Sequence, residues 1–140
     1  MTAFGPPSHV AIAGAGCAGC SLACEILARC PGVRVSVFDP ATGPTSQRTW
    51  CFWDIRSHRF SEAVHKRWQR LVVRSADTEV HVDASAYPYA CIRADDFYRV
   101  AERGMSVDAC IVRRGVSVEG IDERDDGVDL TIREGDAEST

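Results

Sequence analysis

No stretch of this chain approaches the ~20 uninterrupted apolar residues that a membrane-crossing helix requires, so no crossing is expected. The first ten residues hold neither Lys nor Arg ahead of the opening apolar run, which argues against a secretory signal. Basic residues are scattered rather than striped and the net charge is −4, so nothing favours a nucleic-acid partner. There is no internal repeat and no low-complexity tract. A zinc site would need a second cysteine pair, but Cys51, Cys91 and Cys110 stand alone. His9, His58, His65 and His81 share no metal spacing either, and no metal is expected. With 140 residues the chain has room for one domain at most. Its 45% hydrophobic and 26% charged content are those of a soluble globular protein rather than a disordered one.

What is present is concentrated in residues 9–39. Val10–Ala13 is a short run of small and β-branched apolar residues, the kind buried on both faces of a parallel sheet. Gly14-Ala15-Gly16-Cys-Ala-Gly19 follows at once, and then a helical period through Leu22, Ala23, Ile26, Leu27 and Cys30, stopped by Pro31-Gly32. A second apolar run, Val33–Phe38, ends on Asp39. This order predicts a complete βαβ unit, hence an α/β, Rossmann-like dinucleotide-binding domain. Gly14 allows the tight turn, Gly16 lets the backbone approach a pyrophosphate, and Gly19 lets helix and strand pack closely. The phosphates would sit on the helix N-terminus, where backbone N–H groups lack partners. Asp39, twenty residues after Gly19, is placed to accept from ribose hydroxyls. Gly14, Ala15, Gly16, Gly19 and Asp39 are therefore the candidate cofactor-binding residues. An acid at position 39 repels a 2′-phosphate and argues against NADP, while the fingerprint does not separate NAD from FAD. The competing view, a glycine-rich turn that binds nothing, leaves Asp39 and the order of elements as coincidence.

Cys17-Ala-Gly-Cys20 is formally a C-x-x-C at a helix N-terminus, a setting that lowers thiol pKa. Those positions already serve the phosphate turn, so the expectation is reduced, packing thiols in a cytosolic protein.

Residues 1–8 read as an unstructured lead-in and Pro40–Ser46 as a loop. In Gln47–Asp54, three aromatics fall within four residues, as a core strand or as the wall of an apolar ligand pocket. Arg59–Leu71 carries Phe60, Val64, Trp68 and Leu71 at helical spacing and predicts an amphipathic helix. Leu71–Val73 and Val80–Val82 predict two short strands around the polar turn Ser75–Thr78. Tyr87–Ile92 is extended ahead of Arg93, and Asp95 is expected to cap a short helix turning Phe97, Val100 and Ala101 inward. Val116–Ile121 and Val128–Ile132 predict a hairpin around Asp125-Asp126-Gly127, an antiparallel excursion, with a polar tail from Glu134 to Thr140.

The fingerprint joined to Arg48-Thr-Trp-Cys-Phe-Trp-Asp54, to Trp68 and to Tyr89, Ile92, Phe97 and Tyr98 resembles the amino-terminal part of a bacterial lycopene β-cyclase, from about His9 to Ile132. That family is a branch of the FAD-binding flavoproteins of carotenoid synthesis. The resemblance implies FAD in its reduced form, with NAD(P)H as reductant, and lycopene as substrate. Its ψ-ends are cyclised to β-rings without net redox change while reduced flavin stabilises a carbocation and an acid protonates the terminal double bond. It further implies Arg93, and with it Arg48, as flavin contacts, and Trp50, Phe52 and Trp53 as part of an aromatic wall. A hydrocarbon substrate implies a cytoplasmic protein in peripheral contact with the inner face of the cell membrane. Family members are far longer, so the chain is expected to be an incomplete FAD-binding domain, from a gene fragment or an early stop. The segment with the catalytic acid has no counterpart, and Asp54, Asp95 and Asp96 are expected to be surface or cap acids. The rival readings are a flavin monooxygenase or geranylgeranyl reductase, and a non-catalytic remnant.

Overall fold

The computed structural model describes residues 7–44 and 47–135. Most of the expected lead-in, Thr45 and Ser46 of the loop, and the tail from residue 136 lie outside the described residues. In chain order the elements are β1 (His9–Ala13), α1 (Cys17–Arg29), β2 (Arg34–Asp39), β3 (Thr49–Trp53), a 3-10 turn (Ser61–Ala63), β4 (Val64–Trp68), β5 (Arg70–Arg74), β6 (Glu79–Asp83), β7 (Tyr89–Arg93), α2 (Ala94–Met105), β8 (Cys110–Arg114), β9 (Val116–Arg124) and β10 (Gly127–Glu134). They divide into two compact units: Met1–Pro44 with Ala101–Thr140, and Thr45–Val100.

The first unit holds the βαβ element. β1 and β2 run parallel, from His9 opposite Arg34 to Ala13 opposite Phe38. β8 adds on the far side of β2, from Val35 opposite Cys110 to Asp39 opposite Arg114, giving the order β1-β2-β8. Register partners on parallel strands point to the same side, so Ile12, Val37 and Val112 share a face. The Ile12 side chain lies against Gly19 of α1, which identifies that face as the helix side. Val35 and Val37 are fully buried there beneath Cys20, Ala23 and Cys24 of the helix. Each valine contributes about 1.5–3 kcal/mol by leaving water. Small thiol and methyl side chains suit this contact because they let helix and sheet lie close. On the opposite face Ser36 Oγ bonds His9 Nε2 at 2.9 Å, and the Arg113 guanidinium lies 5.8 Å from the centre of the Phe38 ring. β9 and β10 form the expected hairpin, with Arg124 opposite Gly127 and Asp125-Asp126 at the turn. Thus the fold is α/β and Rossmann-like, with an antiparallel excursion.

The second unit is that excursion. β3 and β4 flank β7 in an antiparallel sheet, and β5 pairs with β6 in a separate ribbon. The ribbon is the expected pair of short strands, closed where Ser75 N–H donates to the Thr78 carbonyl at 2.8 Å. The helix expected over Arg59–Leu71 is corrected: this stretch is the 3-10 turn followed by β4 and the start of β5. Its helical spacing is coincidental, because the four apolar residues have different environments. Phe60 is buried against Phe97 with ring centres 4.5 Å apart, whereas Trp68 stays exposed opposite Tyr89 and Leu71 pairs with Val82. Ladder bonds to β7 satisfy this backbone, and tertiary pairing overrides a local period. Asp95 also sits within the first turn of α2 rather than ahead of it, where an acid still complements the helix dipole.

Phe97, 2% exposed, centres the core of this unit. Its ring meets Trp50 at 5.1 Å, Phe60 at 4.5 Å and Tyr98 at 5.3 Å. Phe97→Ala is expected to cost about 3–5 kcal/mol in urea unfolding, the range for an aromatic removed from a packed site. A loss under about 1 kcal/mol would show that this cluster does not hold the unit together.

Candidate functional site

The glycine turn after β1 takes its shape from two glycines. Gly14 has φ +102°, a left-handed conformation, and its N–H donates to the Phe38 carbonyl at 2.6 Å. A Cβ on Gly19 would collide with the Gly14 carbonyl oxygen, so only glycine lets α1 start this close to the turn. Gly16 is the N-cap residue, without a side-chain cap, and the first turn of α1 contains no acid. The Cys20 N–H closes the first helical bond to the Gly16 carbonyl at 2.9 Å, leaving the preceding amides for an outside acceptor. A Cβ on Gly16 would meet nothing within 4 Å: the space beside the helix terminus is open. An uncapped positive helix end facing open space fits a diphosphate.

Asp39 is tied into this turn. Its Oδ2 accepts from Ala15 N–H at 2.6 Å and its Oδ1 from Ala41 N–H at 2.8 Å. One carboxylate thus holds both the glycine turn and the start of the next loop. Each oxygen retains a further lone pair, enough to accept from a hydroxyl. Cys20 Sγ donates to the Ala15 carbonyl at 3.2 Å. Burial pushes the Cys20 thiol up to about 11, against the opposing pull of the Arg114 guanidinium, and burial also raises Cys17. Burial thus disfavours both thiolates, the opposite of the lowering that a redox C-x-x-C relies on. Arg114 itself escaped the reading of the sequence, because its place beside Asp39 arises only from the non-local pairing of β2 with β8.

The other candidates, Arg48 and Arg93, belong to the second unit. The structure brings them together: Arg93 pairs with Thr49 across β7 and β3, and the Arg48 carbonyl accepts from Ala94 N–H at 2.9 Å. Both are exposed. The aromatic block alternates. Trp50 turns to Phe97 and Tyr98, and Phe52 to the His58 ring, while Trp53 is exposed and meets Tyr89 at 5.1 Å. Trp50 and Phe52 thus pack inward from one face of the strand, and Trp53 lies on the other. Trp53 lines a cleft of ≈ 370 Å³ with Ile55, Ala84, Ala86, Tyr87 and Asp83. Asp54 is not a surface acid: its side chain is 11% exposed, Oδ2 accepts from Arg67 Nε at 2.7 Å, and Oδ1 lies 3.6 Å from His58 Nε2. Asp96 pairs with Arg99 on α2, and Asp95 is exposed. Among the described residues no cluster of His, Cys, Asp and Glu could hold a metal, and no helix is long and apolar enough to cross a membrane.

A model of the lycopene cyclase protein family matches residues 9–138. No curated protein sequence matches the chain. Among solved structures, it is similar to a Diels-Alderase of pyrroindomycin biosynthesis at a TM-score of 0.65 and 23% identity, covering 93% of this chain and 30% of that one. For p-nitrophenol 4-monooxygenase from Pseudomonas putida the values are 0.64, 16%, 87% and 35%. A protein of Photorhabdus luminescens described as an FAD-containing monooxygenase gives 0.60, 14%, 91% and 36%. The chain thus spans about a third of each of these structures, and at such identities the likeness establishes fold.

The thiol environments make a testable order of reactivity. With iodoacetamide at pH 8, exposed Cys30 and Cys51 should be modified first, and Cys20 and Cys24 only after unfolding in urea. Mass spectrometry reads the order; rapid native labelling of Cys20 would contradict its buried, hydrogen-bonded placement.

Proposed function

Because the chain belongs to the lycopene cyclase family, we propose that it is the amino-terminal part of an FAD-binding domain in an enzyme closing the ψ-ends of lycopene into β-rings without net redox change. The observation that carries this reading is the family match across residues 9–138, superimposed on a glycine turn shaped for a dinucleotide. FAD-type structural neighbours support the cofactor. Gly14, Ala15, Gly16 and Gly19 form the backbone cradle for its diphosphate, and Asp39 accepts from the adenosine ribose. For Arg48 and Arg93, the family resemblance is what supports a flavin contact. Reduced FAD, with NAD(P)H as the source of its electrons, supplies electron density beside a substrate cation.

Cyclisation adds a proton to a terminal double bond, closes a ring and releases a proton, so it is an isomerisation. It requires a dry site with aromatic faces, which stabilise positive charge. The exposed Trp53, on its apolar cleft, is the side chain of the aromatic block available for that role. No catalytic acid is assigned in this chain. The substrate is a hydrocarbon dissolved in a bilayer, and we place the enzyme in the cytoplasm with peripheral membrane contact.

A flavin redox enzyme is the second reading, favoured by the monooxygenases among the structural neighbours. An anaerobic assay of the flavin-loaded protein separates the two. The cyclase should convert lycopene with pre-reduced FAD and consume no reductant per ring formed, whereas stoichiometric NAD(P)H consumption would overturn the cyclase reading. Gly16→Val, which fills the open space at the helix terminus, is expected to abolish flavin binding in the intact protein. Flavin retained at wild-type occupancy would refute the assignment of this turn.

A further inference from the structure

Two arginines end β8, and the strand sends them to opposite faces. Arg113 is engaged on the Phe38 side, over that ring and paired with Glu134. Arg114 lies opposite Asp39, and Asp39 shares the α1 face with Val35 and Val37, so Arg114 projects on that face too. There its guanidinium acts electrostatically on Cys20, in the first turns of α1. Arg114 is half-buried, and among the described residues no hydrogen bond or ion pair engages its guanidinium. It borders a cleft of ≈ 600 Å³ at the carboxyl ends of β2 and β8, together with Pro40, Thr42, Gly115 and the paired Arg113 and Glu134. Ligands of open parallel sheets bind outside those strand ends.

The position selects one part of the dinucleotide. The diphosphate belongs over the glycine turn at the end of β1, and the ribose at Asp39 on β2. β8 is the next strand in the same direction, and the base is the part of the cofactor that lies beyond the ribose. A guanidinium is planar, weakly hydrated and suited to stacking on an aromatic face. We propose that Arg114 holds the adenine end of the cofactor, its guanidinium against the purine ring beside the Asp39-bound ribose. This rests on the FAD-binding reading and adds to it a specificity contact on the adenosine half.

The test is a calorimetric titration of the full chain with ADP, adenosine and inorganic pyrophosphate, for wild type, Arg114→Gln and Arg114→Lys, with circular dichroism as the folding control. Loss of a partly desolvated cation–π contact should weaken ADP and adenosine alike, by roughly 5–30-fold in the glutamine variant. The lysine variant should fall between, and pyrophosphate binding should not change. If Arg114→Gln weakened ADP and pyrophosphate but left adenosine unchanged, Arg114 would be a phosphate ligand and the proposal wrong. Unchanged binding of all three to a folded Arg114→Gln chain would likewise overturn it. A wild type that bound neither ADP nor adenosine would instead overturn the dinucleotide reading beneath it, a separable failure.

Discussion

The Asp39 carboxylate is the constraint on which the first unit depends. It accepts one backbone N–H from Ala15 in the glycine turn and one from Ala41 beyond β2. Bonds to a charged acceptor are worth about 1.5–3 kcal/mol each net, enough to fix the turn before a ligand arrives. With Ala15 held, Gly16 faces open space and the helix terminus behind it is uncapped. Close helix packing through Gly19 and the bond from Cys20 Sγ to the Ala15 carbonyl hold the same turn from the other side. A preformed anion cradle loses less ordering entropy on binding than a loop that must first be fixed.

The same geometry settles what the cysteines do. Four of the seven fall in or beside α1, and two of them, Cys20 and Cys24, are fully buried in its contact with the sheet and with α2. Gly104 of α2 leaves room for Cys24: a Cβ there would come within 2.9 Å of its sulfur. These thiols act as small apolar side chains that also donate to carbonyls, and the raised pKa of Cys20 is the electrostatic consequence of that burial.

Local chemistry made much of this legible. A βαβ unit announces itself through glycine spacing, helical period and a terminal acid, all within thirty-one consecutive residues, His9–Asp39. The β5–β6 ribbon and the β9–β10 hairpin were legible for the same reason, since turn residues and alternating strands lie side by side in the chain. Elements defined by distant partners were not. β8 offers only Ile111 and Val112 ahead of its arginines and becomes a strand by pairing with β2. β4 has a helical period but is held by Tyr89–Ile92 of β7. The cofactor residues on the turn were readable from spacing; Arg114 became a candidate through strand order, and Asp54 was recognised as a half-buried, paired acid through Arg67, thirteen residues away.

The central claim is that Asp39 shapes the dinucleotide turn and also serves the ribose, so removing its carboxylate should damage binding more than a lost hydroxyl contact alone. Fluorescence titration of FAD into Asp39→Ala, compared with wild type in the intact protein, measures this directly. The account predicts affinity weakened by at least about a hundredfold, corresponding to roughly 3 kcal/mol. FAD binding to a folded Asp39→Ala protein at wild-type affinity would contradict it.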